Sequence, residues 1–292
     1  MRRTVEGRGH RRGRRHRALR YRVFDSGALS PGGSQAYDPC QQWREAPGPL
    51  GAVSCAILAA NPHNTQPWTF HVTDSAIDVH ADPTPDHRHR GSLLREQHIG
   101  LGCALENLTL GCVARGLRPT LTLLPDGADG ERVAQVALTP VAPAAHSAVY
   151  DAIRRRHTDR SPYAVQLLSA TELAALVDTT DLVGVAVHWV REPGEMSSMG
   201  RLLVGAATAL TQDEQQSKDS FAWFAGSNDA VHRRRDEMTL DAQGLSPLIL
   251  SLGKLLPPPP APPTTGSHSS PRERCCNAST SPPRPAASPS SR

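Results

Sequence analysis

The sequence predicts an α+β fold, a mixed, mainly antiparallel sheet flanked by helices, and three observations carry that prediction. Helix-period and strand-period segments alternate irregularly, without the regular repeat of a parallel α/β protein. Short alternating runs come in adjacent pairs, as the arms of hairpins do. One long segment carries an apolar stripe at helical spacing.

The elements follow in order. Residues 48–60, GPLGAVSCAILAA, read as a helix opened by Pro49, and ILAANPHNTQPW (57–68) ends it in a run of amides and prolines. TFHVT (69–73) and AIDVHAD (76–82) alternate apolar and polar residues and read as two strands. The next stretch, 82–91, reads as a loop. Residues 92–115 read as a helix, with Leu101, Leu105, Leu108 and Cys112 on one face and Gly116 as its C-cap. RPTLTLLPDG (118–127) and RVAQVALTP (132–140) form a strand pair over a Gly-rich turn. Residues 145–156 are a further helix, and RHTDRSPY (156–163) is irregular. The pattern S-x-x-E at Ser169–Glu172 is a capping box that opens a helix at about 170–178. VGVAVHWV (183–190) reads as a strand, and 195–235 as helical.

Composition separates the ends from the middle. The first 24 residues hold ten Arg against one Glu, and the last 36 hold eleven of the 26 Pro with four Arg against one Glu. Such segments bury too little apolar surface to offset ordering entropy, so 1–35 and 257–292 read as disordered tails around a domain at 36–256. Removing the tails' +9 and +3 from the total of +4 leaves −8 on residues 25–256. An acidic body argues against specific nucleic-acid binding. No run approaches the ~18 apolar residues of a membrane helix, and no secretory h-region follows the first arginines. The six Cys form no C-x-x-C pair, and Cys55, Cys103 and Cys112 sit in apolar helical patterns. A reducing, cytoplasmic setting is expected.

Two segments could carry chemistry. In Arg156-His157-Thr158-Asp159-Arg160, two guanidiniums flank a hydroxyl and an imidazole. Alternate side chains of an irregular segment can converge, and Arg forks suit phosphate oxygens. The alternative is a solvated basic helix end. In 61–68, Asn64 and Gln66 donate and accept hydrogen bonds without charge, between Pro62 and Pro67. A planar heterocycle needs such partners, and so does a capping loop whose amides bond to backbone. Gly100-Leu101-Gly102 lacks the third glycine and the preceding strand of a dinucleotide loop, and reads as helix packing. His87 and His89 lack a third ligand, so no metal site is expected.

Taken together, HNTQPW (63–68), RHTDR (156–160) and the helix IGLGCALENLTLGCVARGL (99–117) resemble the nitroreductase superfamily of flavin enzymes. AYDPCQQWREAPGPL (36–50) and RDEMTLDAQGLSPL (235–248) are similar to its actinobacterial-type NAD(P)H nitroreductase branch. The resemblance covers about 36–256 and implies an FMN site. Arg156, Thr158 and Arg160 would hold the phosphate with His157 beside it, Asn64 and Gln66 would contact the isoalloxazine edge, and Trp68 would pack beneath the loop. It also implies a reaction in which NAD(P)H reduces the flavin and the flavin then reduces a nitroaromatic or quinone-like small molecule, with no catalytic side chain. A monomer of two fused modules or a homodimer is implied. Two departures stand out. Ala60-Asn61-Pro62 replaces the superfamily's frequent Pro-Ser, and the proline-rich sequence after Lys254-Leu255-Leu256 matches nothing in the family. The resemblance therefore predicts a fold incomplete at its C-terminal end. The alternatives to an active reductase are an FMN-sequestering protein and a truncated, non-functional chain.

Overall fold

The computed structural model describes residues 42–82, 92–142, 145–178, 185–214, 223–225 and 228–255. The expected tails at 1–35 and 257–292, residues 36–41 and the loop 83–91 with His87 and His89 lie outside them, as do Cys40, Cys275 and Cys276. The chain divides into two compact units, residues 1–159 with 223–292, and residues 160–222.

In the first unit, helix α1 spans Gly48–Ala56 and enters through Pro49. Strands β1 (Trp68–Val72) and β2 (Ala76–Ala81) pair antiparallel, with Trp68 opposite Ala81. Helix α2 runs Ser92–Val113. Strands β3 (Leu117–Leu123) and β4 (Arg132–Pro140) complete an antiparallel sheet of order β1-β2-β4-β3. The fold class expected from the sequence is the one observed, an antiparallel four-stranded sheet flanked by helices.

The alternating strand residues explain the layering. Trp68 and Phe70, Ile77 and Val79, and Val136 and Leu138 are buried at every second position. They form one core with Leu101, Ala104, Leu105, Leu108 and Cys112 of α2 and Ala52, Val53 and Ala56 of α1. The stripe read from the sequence is thus the buried face. At Gly116 the chain turns out of α2 with φ 68°, its N–H donating to the Val113 carbonyl. That left-handed turn is the expected glycine C-cap. Helices α1 and α2 are in close contact: a Cβ on Gly111 would lie 2.9 Å from Ala52 Cα.

Helix α3 (Ala148–Ala152) is capped by the Ser147 hydroxyl, which accepts from the Tyr150 N–H, and continues as a 3-10 turn, Ile153–Arg155. Tyr150 and Ile153 join Trp43 and Cys55 in a smaller second core.

The second unit holds α4 (Ala170–Asp178) and α5 (Pro193–Gln212). The expected capping box is present. Ser169 N–H donates to Glu172 Oε2 at 2.7 Å, and Glu172 N–H donates to Ser169 Oγ at 3.2 Å. The bond from the Ser169 main chain, and then that from its hydroxyl, holds the Glu172 carboxyl below its ordinary value. The strand expected at 183–190 is not formed over its described part, 185–190. The alternation is there, but β structure also needs a partner ladder, and Val185, Val187 and Trp189 are exposed.

The first unit resumes with 223–225, then α6 (Asn228–Arg234), a 3-10 turn at Leu240–Gln243 and α7 (Pro247–Leu255). Helix therefore does not continue through the expected 195–235: Asp213 leaves α5 at φ −78°, ψ 104°, and Phe224 bridges Met238 in parallel. Among the described residues no helix is long and apolar enough to cross a membrane.

One pH dependence arises in the core. Burial, and next the neighbouring Cys55, pushes the Cys112 thiol up to about 12 from an ordinary 9.0. The unfolded thiol ionises first, so this contribution is whole below pH 9 and is lost as pH rises from about 9 towards 12. Urea unfolding of the wild type should lose up to about 1.4 kcal/mol per pH unit more than Cys112→Ala across that window. Parallel pH profiles for the two proteins would contradict it.

Candidate functional site

The first candidate segment begins where α1 stops. Beyond Ala56 the chain tightens, with Leu58 N–H donating to Cys55 O and Ala59 N–H to Ala56 O. Asn61 is extended, and Pro62 opens a 3-10 turn, Pro62–Asn64. The amide of Asn61 ties this loop together: Nδ2 donates to Ala59 O at 3.1 Å, and Oδ1 accepts from Gln66 N–H at 3.0 Å. Gly100 of α2 lies against it, since a Cβ there would come 3.1 Å from Asn61 Cβ. Gly100 of the Gly-Leu-Gly run is therefore a packing residue, as its sequence context suggested, whereas a Cβ on Gly102 would meet nothing within 4 Å.

Within the turn the backbone is unusual. His63, Asn64 and Gln66 have φ of 51°, 57° and 51°. Left-handed geometry is uncommon for residues with a Cβ, although Asn and His adopt it more readily than most. It turns the two candidate amides towards each other: Gln66 Nε2 donates to Asn64 Oδ1 at 2.9 Å. Asn64 Nδ2 donates in turn to the Glu237 carbonyl at 3.1 Å. Gln66 is only 8% exposed, and Asn64 is exposed. Trp68 follows as a buried core residue under the loop, its N–H donating to Gln66 O at 2.8 Å.

The bonds seen are those of an amide loop closed on itself and on backbone. One capacity remains. Among the described residues the Gln66 Oε1 accepts no hydrogen bond, so the pair still offers an acceptor. That chemistry fits a planar heterocycle whose edge carries an N–H, as the flavin imide does.

The second candidate segment leaves the 3-10 turn at Arg156, which is extended at φ −65°, ψ 129°. Its N–H closes onto Ala152 O at 3.0 Å. The Arg156 guanidinium reaches the Leu58 carbonyl at 3.5 Å, just ahead of the Asn61–Trp68 loop. His157 Nδ1 lies 3.2 Å from Arg155 O. Thr158 is exposed, as are Arg156 and His157. An exposed guanidinium and hydroxyl on one irregular segment fit a solvent-facing phosphate. Arg160 is exposed too, and is the first residue of the second unit. Among the described residues no hydrogen bond joins Asn64 or Gln66 to Arg156, His157 or Thr158.

A third segment had not been singled out as part of the site. Glu237 N–H donates to Asn64 O at 3.2 Å while its own carbonyl accepts from Asn64 Nδ2. Asp236 and Glu237 are each 6% exposed. In the sequence, RDEMTLDAQGLSPL (235–248) carries only a family likeness. A contact made by main chain across 173 positions leaves no side-chain signature to read.

No protein-family model matches the chain. Two proteins of Mycobacterium tuberculosis are similar to it. The one named "Putative NAD(P)H nitroreductase Rv3131" is 24% identical over 172 residues, covering 59% of this chain and 49% of its own length. The one named "Putative NAD(P)H nitroreductase acg" is 29% identical over 120 residues, 39% of this chain and 35% of its own. The chain spans about half the length, or less, of the curated relatives it matches. The similarity is distant, and both of these proteins carry nitroreductase names.

Proposed function

We propose that the chain is an FMN-binding oxidoreductase of nitroreductase type, working with NAD(P)H in a reducing, cytoplasmic setting. Bound FMN would supply the chemistry: two electrons taken from NAD(P)H and passed, in ping-pong order, to a nitroaromatic or quinone-like acceptor. The protein's part is to bind, orient and shield. Asn64 and Gln66 present uncharged hydrogen-bonding groups at the ring edge, with Gln66 Oε1 as acceptor. Arg156, Thr158 and Arg160 bind the phosphate, with His157 beside it. No side chain is asked to act as nucleophile or general base.

The observation that carries this reading is the reach of Arg156 to the Leu58 carbonyl. It ties the basic segment to the chain that enters the amide loop, 98 positions away. A flavin and its phosphate tail would require both segments on one side of the molecule. The relatives' names support the nitroreductase direction.

The test is absorbance after FMN loading and desalting. A retained visible band bleached by NAD(P)H is the expected outcome. A colourless protein would sink the reading. Arg156→Ala should weaken FMN binding by roughly 1.5 kcal/mol, the low end for a hydrogen bond to a charged group, because the guanidinium is exposed. Unchanged affinity in both Arg156→Ala and Arg160→Ala would remove the phosphate assignment. A second reading, FMN held without turnover, is favoured by the bonds that Asn64 and Gln66 already make to each other and to Glu237. It predicts a retained band that NAD(P)H leaves unbleached.

A further inference from the structure

Six non-glycine residues among those described have φ in the left-handed region. Five of them fall in two short segments: His63, Asn64 and Gln66 in one, Arg235 and Glu237 in the other. Glu237, at φ 81°, lies furthest into it. Such geometry costs a residue with a Cβ on the order of 1 kcal/mol or more, and it persists only where the surroundings over-determine it.

Here the two strained segments hold each other. Glu237 N–H donates to Asn64 O, and Asn64 Nδ2 donates to Glu237 O. The far side of the second segment is also fixed. Met238 N–H donates to Trp223 O, and Ala225 N–H donates to Met238 O, both at 2.8 Å.

The reciprocal pair has a direction. The Glu237 carbonyl can only accept, so the Asn64 amide must turn its Nδ2 towards it. That leaves Asn64 Oδ1 facing Gln66, which must answer with Nε2. Gln66 then presents its oxygen. One main-chain carbonyl thereby sets the polarity of two side-chain amides in series.

We infer that the Glu237 main chain is a positioning element of the candidate site: it orients the Asn64–Gln66 amides so that the site selects a ligand edge bearing an N–H donor. This rests on the flavin reading above, and it assigns a role to a residue outside both motifs. The role inferred is that of the backbone N–H and C=O at 237, the groups that meet Asn64.

The side chain at 237 therefore serves as a switch on backbone geometry. Gly accepts φ 81° without penalty, Gln keeps a comparable Cβ, and β-branched Val resists that conformation. FMN titrations of wild type, Glu237→Gly, Glu237→Gln and Glu237→Val are compared, with Arg156→Ala as a control on the phosphate end. Gly and Gln should bind FMN within about threefold of wild type, and Val at least about tenfold more weakly. Binding by Val at wild-type strength, or equal losses in Gly and Val, would overturn the inference while leaving the flavin reading intact. A wild type that binds no FMN would overturn both.

Should Glu237→Val fail to fold, amide hydrogen exchange on the wild type decides. FMN should slow exchange at 63–66 and 235–237 together. Protection confined to 63–66 would overturn the inference.

Discussion

Arg115→Ala should lower the unfolding free energy by about 3 kcal/mol, a larger loss than is expected from any single substitution at the residues proposed to hold a flavin. Arg115 lies two residues past the end of α2. Its guanidinium spreads over four parts of the first unit. Nε donates to Ala46 O at 3.2 Å and Nη2 to Trp43 O at 3.0 Å. Nη1 donates to Gly111 O at 3.1 Å and approaches Tyr150 Oη at 3.4 Å and Cys55 Sγ at 3.6 Å. Alanine would leave the Trp43 and Ala46 carbonyls without this donor, at about 1 to 3 kcal/mol for each one that stays dry.

The aromatic contact beside it would loosen as well. Trp43 and Tyr150 are buried with ring centroids 4.9 Å apart, and Arg44 stacks over both while pairing with Asp151. Arg115→Lys keeps the charge but not the planar fork, so it should recover less than half of the loss. Chemical denaturation checks this. A shift below about 1 kcal/mol in Arg115→Ala would show that the guanidinium is incidental to stability. Because the 3-10 turn that continues α3 leads into Arg156, a loosened Tyr150 should also weaken FMN binding at the proposed site.

That arrangement also marks what a sequence can and cannot disclose. The stripe Leu101, Leu105, Leu108, Cys112 was legible because helical spacing alone decides which residues share a face. The hairpin arms were legible for the same reason at period two, and the cap at Ser169–Glu172 because its partners lie three residues apart. Arg115 gave no comparable signal. An Arg at the end of a helix reads as a dipole partner, and only the tertiary fold brings Trp43, Ala46 and Tyr150 to it.

The candidate site divides in the same way. Asn64, Gln66 and the basic run stood out by composition. The sequence did not choose between a ligand-facing amide pair and a self-bonded loop, because that depends on the left-handed turn at 63–66. Glu237 could not be read at all, since any residue type but proline supplies the same N–H and C=O. At 183–190 the pattern was right for a strand, but the pattern does not contain the partner on which a strand depends.

Gly51→Ala tests the Arg115 cluster from the opposite side, and a loss of about 3 kcal/mol is expected, the upper part of the range for an overpacked core. Gly51 is buried in α1, and a Cβ there would fall well inside contact distance of both the Ala46 carbonyl and Arg115 Nε. The absent side chain is the space in which the guanidinium lies. The two substitutions should therefore not add. In Arg115→Ala the guanidinium is gone and part of the clash goes with it, so Gly51→Ala should cost about 1 to 2 kcal/mol less in that background. The Ala46 carbonyl stays in place, so the rescue should be incomplete. A double-mutant cycle by urea denaturation measures the coupling directly. Additivity within about 0.5 kcal/mol would mean that the helix moves to admit the methyl group and that Gly51 does not make room for Arg115.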